Sequence, residues 1–348
     1  MSDPKYNRLP HAGDFESVNG TEAFYLAPKP LPTGSAAFSG QGMHHDINDA
    51  YLDFAPGKTN FEFFVRLAFG SNIFFVMFFF LVSVLAAWVR RHKENFFEGW
   101  LEFFSMWPVW VLIGCHALLY IYYLLKAVRQ ITTQPPVRFN RQRREVAYVS
   151  KKGEPPLIVP WEEVIACVTV SNVITEYAVM PSASLIIGLR DSSSGEVARL
   201  TISTGHLSLA VSEWEALRVY MEEGPLALPT PLLMDEEFQE GTVAHFHMCR
   251  ELYREMHSWP VYAFGFLTIQ FCSGWTLPCR FSEWINTRPK AAFPPSIREW
   301  SKPLPAEQHA QPSAELVQQS AELRLALGQG QSLLDYYKVK FAEPEPAQ

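Results

Sequence analysis

The chain has 348 residues, a formal net charge of −7 and 14% aromatic residues, 26 of them Phe. The length suffices for a pair of membrane helices and one ordinary soluble domain. The acidic balance excludes a general nucleic-acid binder, whose phosphate contacts need Lys and Arg clustered on one groove-sized face.

The opening MSDPKYNRLP has no apolar core of a cleavable signal, so a later segment must direct any membrane insertion. Residues 1–60 are rich in Pro, Gly, Ser, Asn and His without a sustained period, which predicts an extended arm with one short helix near 47–54. Met43, His44, His45 and Asp46 read as part of that solvated arm, because adjacent histidines project differently and no ligand pair at helical spacing follows.

Two runs, 67–89 and 103–125, each contain about 23 residues without Asp, Glu, Lys or Arg, and a bilayer core needs about 20 at a helical rise. The first holds six Phe among Leu, Ile and Val, and their transfer outweighs the cost of Ser71, Asn72 and Ser83. The second opens with Trp107 and Pro108 and closes with Tyr120, Tyr122 and Tyr123, side chains suited to the headgroup level. Residues 61–130 are therefore expected to form a transmembrane hairpin, with a short interfacial helix between Arg90 and Glu102. Asn72 and His116 are the intramembrane polar positions, His116 being expected to bond across the hairpin to Asn72 or Ser71. Arg90, Arg91 and Lys93 lie in the connection. Lys58, Arg66, Lys126, Arg129, Arg138, Arg141, Arg143 and Arg144 lie on the other side, which places the amino terminus and the following domain in the cytoplasm.

From 137 to 224 the period becomes that of β-strands. Residues 184–190 and 197–203 flank the turn sequence at 191–195, and Lys151, Lys152 and Gly153 join two earlier runs. Ser212 and Glu215 read as a capping box for a closing helix with Trp214, Leu217 and Met221 inward, Arg218 and Glu222 toward solvent, and Gly224–Pro225 as its stop. Arg138, Arg141, Arg143 and Arg144 follow the membrane exit, where basic clusters attract anionic lipid headgroups; a topogenic signal with solvated arginines is the alternative.

The order of paired strands, the step Pro160, Trp161, Glu162, Glu163 and a closing helix resembles the bacterial PH-like domain, which implies a module that binds lipid headgroups or proteins. VRFNRQRREV at 137–146 directly after a hairpin, with PWEEV at 160–164, resembles a family of proteobacterial membrane proteins carrying a domain of unknown function. That resemblance implies genes often found beside type VI secretion effectors, and hence a secreted toxin or secretion component as protein partner.

Residues 225–300 are expected to be helical. The run 258–279 is uncharged and predicts a third span if it packs on the hairpin, with a re-entrant or membrane-parallel segment as alternatives. His245, His247 and Cys249 cannot all face one point on a helix, so no metal is assigned. The five cysteines lack C-x-x-C spacing or a disulfide framework, which fits a reducing compartment. The tail, 301–348, is rich in Pro, Gln and Ala, with Leu316, Leu323, Leu327 and Leu334 marking either a docking helix or a loose extension.

Together these readings describe an α+β membrane protein: a transmembrane hairpin, a small antiparallel PH-like β domain with a carboxy-terminal helix, and a further apolar helical segment. It is expected to be a multi-pass protein of the bacterial inner membrane, without cofactor or catalytic residues, whose partners are the phospholipid bilayer and another protein. An immunity or accessory role beside a type VI effector is the leading function. A membrane-anchored lipid-headgroup module, and a channel or metal-dependent enzyme, are the alternatives.

Overall fold

The computed structural model describes residues 10–18, 20–40, 42–55, 61–93, 95–133, 135–150, 154–174, 179–229, 236–288 and 291–340. Lys58 of the charge count, and Lys151, Lys152 and Gly153 of the joining turn, lie outside these residues.

Four strands come first: β1 (Phe15–Val18), β2 (Thr21–Ala27), β3 (His44–Ile47) and β4 (Tyr51–Phe54). Helices α1 (Glu62–Arg90), α2 (Phe96–Phe104) and α3 (Trp107–Thr133) follow. Next are β5 (Val137–Asn140), β6 (Glu145–Tyr148), β7 (Leu157–Pro160), β8 (Ile165–Ile174), β9 (Val179–Arg190), β10 (Val197–Ser203) and α4 (Leu207–Glu223). Helix α5 (Val243–Met256) precedes α6 (Trp259–Val261), which runs through a π-helical stretch (Tyr262–Leu267) into α7 (Thr268–Cys272). Helices α8 (Leu277–Asn286), α9 (Pro295–Trp300), α10 (Ala314–Gly328) and α11 (Leu333–Lys340) complete the chain.

These elements divide into two units. The first gathers 1–58, 134–232 and 290–348, and the second 59–133 and 233–289. In the first, two antiparallel sheets run β1-β2-β8-β9-β10 and β3-β4-β5-β6-β7. Alternating side chains from both sheets feed one core. Leu52, Phe54 and Phe139 come from one sheet, Leu26, Val168 and Ile187 from the other, and Trp161 with Trp214 and Leu217 of α4 closes it.

Residues 10–18, 20–40 and 42–55 are thus no arm. The expected helix near 47–54 is the β3–β4 hairpin, turned by Asn48, whose Oδ1 accepts from the amides of Ala50 and Tyr51 at 2.9 Å each. Leu52 lies opposite Phe139 and Phe54 opposite Val137, so the segment is a strand because β5 offers an apolar edge. Helix α4 begins at Leu207, before the expected capping box, and Ser212 lies inside it. Its outer face is covered by 33–48, which reverses the solvent assignment. Arg218 is buried on Glu215 at 2.7 Å, Thr33 donates to Glu215 through its amide and hydroxyl at 3.0 and 2.9 Å, and the Tyr220 hydroxyl donates to the Asn48 carbonyl at 2.7 Å.

The turn sequence at 191–195 does close a hairpin, Arg190 facing Val197. The Ser193 hydroxyl and amide, with the Ser194 hydroxyl, hold the Asp191 carboxyl down at about 2. The tail docks: Leu316, Leu323, Tyr336 and Tyr337 of α10 and α11 share a cluster with Ala12 and Leu31. Phe293 and Ile297 pack on Ala147 and Val149.

In the second unit α1 and α3 have 29 and 27 residues, about 43 and 40 Å at a helical rise. Phe103 and Phe104 end α2 rather than open α3, because Pro108 has no N–H for the carbonyl four residues earlier. The Trp110 indole N–H takes that Phe104 carbonyl instead, at 2.8 Å. Helix α2 packs its aromatic face on α1, with Trp100 and Phe104 edge-on to Phe80. Within the run 258–279, expected as a possible third span, the helix is the 14 residues Trp259–Cys272, about 21 Å against the roughly 30 Å core. It ends where Gly274 and Trp275 take φ of 91° and 53°.

Candidate functional site

The helical unit presents the most unusual surface. Of the apolar windows of α1 and α3, 11% and 0% of residues are buried, whereas a soluble core helix hides such a stripe. Phe74, Leu81, Leu85, Leu112, Leu118 and Leu119 are all exposed. These are two helices long and apolar enough to cross a membrane. Between them His116 Nε2 lies 3.2 Å from Ser71 Oγ, its ring edge-on to Phe75 and Tyr120. His116 therefore finds Ser71, one of the two expected partners. Asn72 instead donates to the Ala68 carbonyl at 2.8 Å within α1, and its Oδ1 is buried without a partner among the described residues.

Of the basic run, Arg138 and Arg144 are buried and Arg141 and Arg143 half-buried. Strand pairing sets Arg138 opposite Asp53, and its guanidinium grips that carboxylate at 2.6 and 2.7 Å, donates to Ser301 Oγ at 2.9 Å and lies over the Tyr51 and Phe293 rings. Residues 141–144 form the β5–β6 turn, where Arg144 at φ 52° points inward to grip Glu222 at 2.8 and 2.9 Å, with Glu162 at 3.4 Å. Arg143 Nε donates to the Trp300 carbonyl at 2.8 Å. Arg141 rests beside Gly224, where an added Cβ would meet its Cζ at 3.1 Å. Arg138 and Arg144 are buried, because two bidentate carboxylate pairs offset their desolvation. The Trp161 amide donates to the Arg144 carbonyl at 2.8 Å and its indole to Glu222 at 2.9 Å, so the two stretches singled out in the sequence meet at one point.

A cavity of about 320 Å³ lies between 38–47 and the end of α4, lined by Phe38, Ser39, His44, Ile47, Ala216 and Leu228. His44 and Glu213 meet beside it at 3.1 Å with side chains 8% and 2% exposed, so His44 is not the solvated residue expected. No hydroxyl or thiol among the described residues is hydrogen-bonded to His44. In the second unit His245 Nδ1 contacts the Glu237 carbonyl at 2.8 Å and its Nε2 lies 3.4 Å from Cys249 Sγ, while His247 packs on Phe246. No group of three or more His, Cys, Asp or Glu among the described residues is arranged to hold a metal ion. Sequence reasoning missed the His44–Glu213 pair and the Asp53–Arg138 grip, whose partners lie far apart in the chain.

The chain is thus an α+β protein with two antiparallel sheets and two helices of membrane-crossing length. It belongs to the family of unknown function DUF6708, which matches residues 113–311. No curated protein and no solved structure matches it.

Proposed function

We propose that this protein is a non-enzymatic interaction protein of the bacterial inner membrane, held by α1 and α3, whose two-sheet unit binds a protein partner in the cytoplasm. The observation that carries the reading is the uncovered apolar surface of both helices, which water would penalise along their whole length. The first unit draws its clusters from 12–31, 137–149 and 293–337 together. All three stretches therefore share one side of the membrane, and the crossings are even in number. The excess of Lys and Arg flanking the hairpin ends supports the cytoplasmic side.

The four-strand meander β4-β5-β6-β7, the three-strand meander β8-β9-β10 and the closing α4 support a PH-like reading of the sheet unit. Burial of Arg138 and Arg144 in carboxylate pairs removes the best headgroup ligands and favours a protein partner over lipid. The resemblance of the motif stretches to membrane proteins encoded beside type VI effectors supports an immunity or accessory role, with a secreted toxin or secretion component as partner. The test is a contact competition on solid medium between a gene deletion and its parent, with the parent's secretion apparatus active or disabled. Loss of the deletion strain only under active secretion is the expected result. Equal survival in both settings would overturn protection.

A further inference from the structure

The apolar segment Trp259–Cys272 is too short to cross, yet its outward side chains are uncovered: Trp259, Phe264, Ile269 and Phe271 are 73%, 76%, 59% and 76% exposed. Its depth relative to α1 is fixed by polar contacts. Arg66, in the second turn of α1, donates to Gln270 Oε1 at 2.6 Å and approaches Ser273 Oγ at 3.4 Å and Cys279 Sγ at 3.5 Å. Gly274 lies against Phe69, whose ring an added Cβ would meet at 3.2 Å. The Phe61 amide donates to Ser282 Oγ at 3.3 Å. Along α1 the contacts therefore run Phe69, Arg66, Phe61 as the other chain runs Gly274, Cys279, Ser282. The turn at 273–276 is the innermost point, and α8 returns to the level at which α1 begins.

We infer that Trp259–Cys272 is a re-entrant wedge seated in the lipid leaflet where α1 starts, entering and leaving on the same side. The occupant of its outer face is the acyl region of that leaflet. The face is continuous with the anchor, since Phe63, Leu67 and Phe69 of α1 are exposed at the same depth. At the seam Glu62 and Arg66 pair at 2.7 Å, Arg66 is 15% exposed, and its guanidinium lies over Phe246. Intramembrane charge is tolerated when it is paired inside a helical bundle in this way. The helix breaks where the wedge turns, and the amides of Ser273, Gly274 and Trp275 there donate to the carbonyls of Ile269, Phe271 and Gln270 at 2.9, 3.1 and 2.7 Å, so the break keeps its backbone bonded. This inference rests on the membrane anchoring proposed above.

The test uses the full chain in vesicles of phosphatidylethanolamine and phosphatidylglycerol doped with a phospholipid bearing a mid-chain diazirine, the crosslinks being mapped by mass spectrometry. Crosslinks in α1, α3 and 259–272 are expected. Crosslinks in α1 and α3 without any in 259–272 would overturn the wedge and leave the anchor standing, and absence from all three would overturn both. A second arm places Leu277→Cys and Phe97→Cys in separate chains and applies an impermeant maleimide from the α2 side. Phe97→Cys is expected to react at least tenfold faster, and equal reaction of Leu277→Cys would make the segment a span.

Discussion

Replacing Arg138 separates an internal hub from a lipid-facing patch. Its guanidinium makes two hydrogen bonds to Asp53, and the two side chains are 8% and 9% exposed. Arg138→Ala leaves a buried carboxylate without its partner, a loss of about 3–5 kcal/mol. With a urea slope of about 2 kcal/mol per M, the unfolding midpoint of the sheet unit falls by roughly 1.5–2.5 M. The assay is a urea titration of the full chain in mild detergent micelles, followed by near-UV circular dichroism of the buried Trp161 and Trp214. The pH sign is also fixed. Burial raises the Asp53 carboxyl above its ordinary value and Arg138 pulls it back, so the variant's carboxyl rises further. A folded carboxyl raised above its unfolded value loses stability as pH rises through that window. Arg138→Ala is therefore less damaging at pH 5 than at pH 8. Arg138→Met with Asp53→Leu recovers most of the loss, because removing both partners leaves no orphaned charge. A change below about 0.5 kcal/mol in Arg138→Ala, the range of an exposed residue, would refute the hub.

Burial pushes the Cys167 thiol up to about 11, which leaves about 0.1% thiolate at pH 8. Maleimide should modify it about a hundredfold more slowly in the folded chain than after denaturation, read from its peptide by mass spectrometry. The carboxyls of Glu322, Glu315 and Asp335 are held below their usual range by hydrogen bonds from Lys340, Lys29 and Ser332. Their support is present above the unfolded value and is lost as pH falls through the depressed one. Pepsin between pH 4 and 2 should therefore cut within 314–340 before it cuts the sheets. Ser71→Ala should weaken the α1–α3 pairing by about 0.6 kcal/mol, the usual size of an interhelical hydrogen bond in a membrane. A double-mutant cycle with His116→Ala should return the same coupling, and additivity would separate the two residues.

The hairpin was legible because uncharged runs of membrane length leave few alternatives, and β9–β10 because 191–195 specifies its own turn. His116 could be matched to Ser71 because the two apolar runs offer few other polar partners. The arginines were not legible. Whether Arg138 and Arg144 face lipid or core depends on Asp53 and Glu222, 85 and 78 residues away. No local period reports that distance. Strands β1 to β4 were hidden for a related reason: the β1–β2 and β3–β4 hairpins join their sheets only through β8 and β5, across the inserted helices. The break at 273–276 had a visible signal in Gly274 and Pro278, which weakened the third span.

The family match, 113–311, and the folded unit do not coincide. The match leaves out β2 and β4, which pair with β8 and β5, and with them Leu26, Met43, Leu52 and Phe54 of the main core. Burying four such side chains contributes about 6–12 kcal/mol at 1.5–3 each, comparable to the whole net stability of a domain. The same cut strips Asp53 from Arg138, Thr33 from Glu215 and His44 from Glu213, so buried charges lose their partners on both faces of the unit. A fragment limited to 113–311 should therefore show no cooperative unfolding, and addition of residues 10–55 as a separate chain should restore it. The sheet unit is then assembled from three stretches of sequence, with α1, α2 and α3 inserted between β4 and β5.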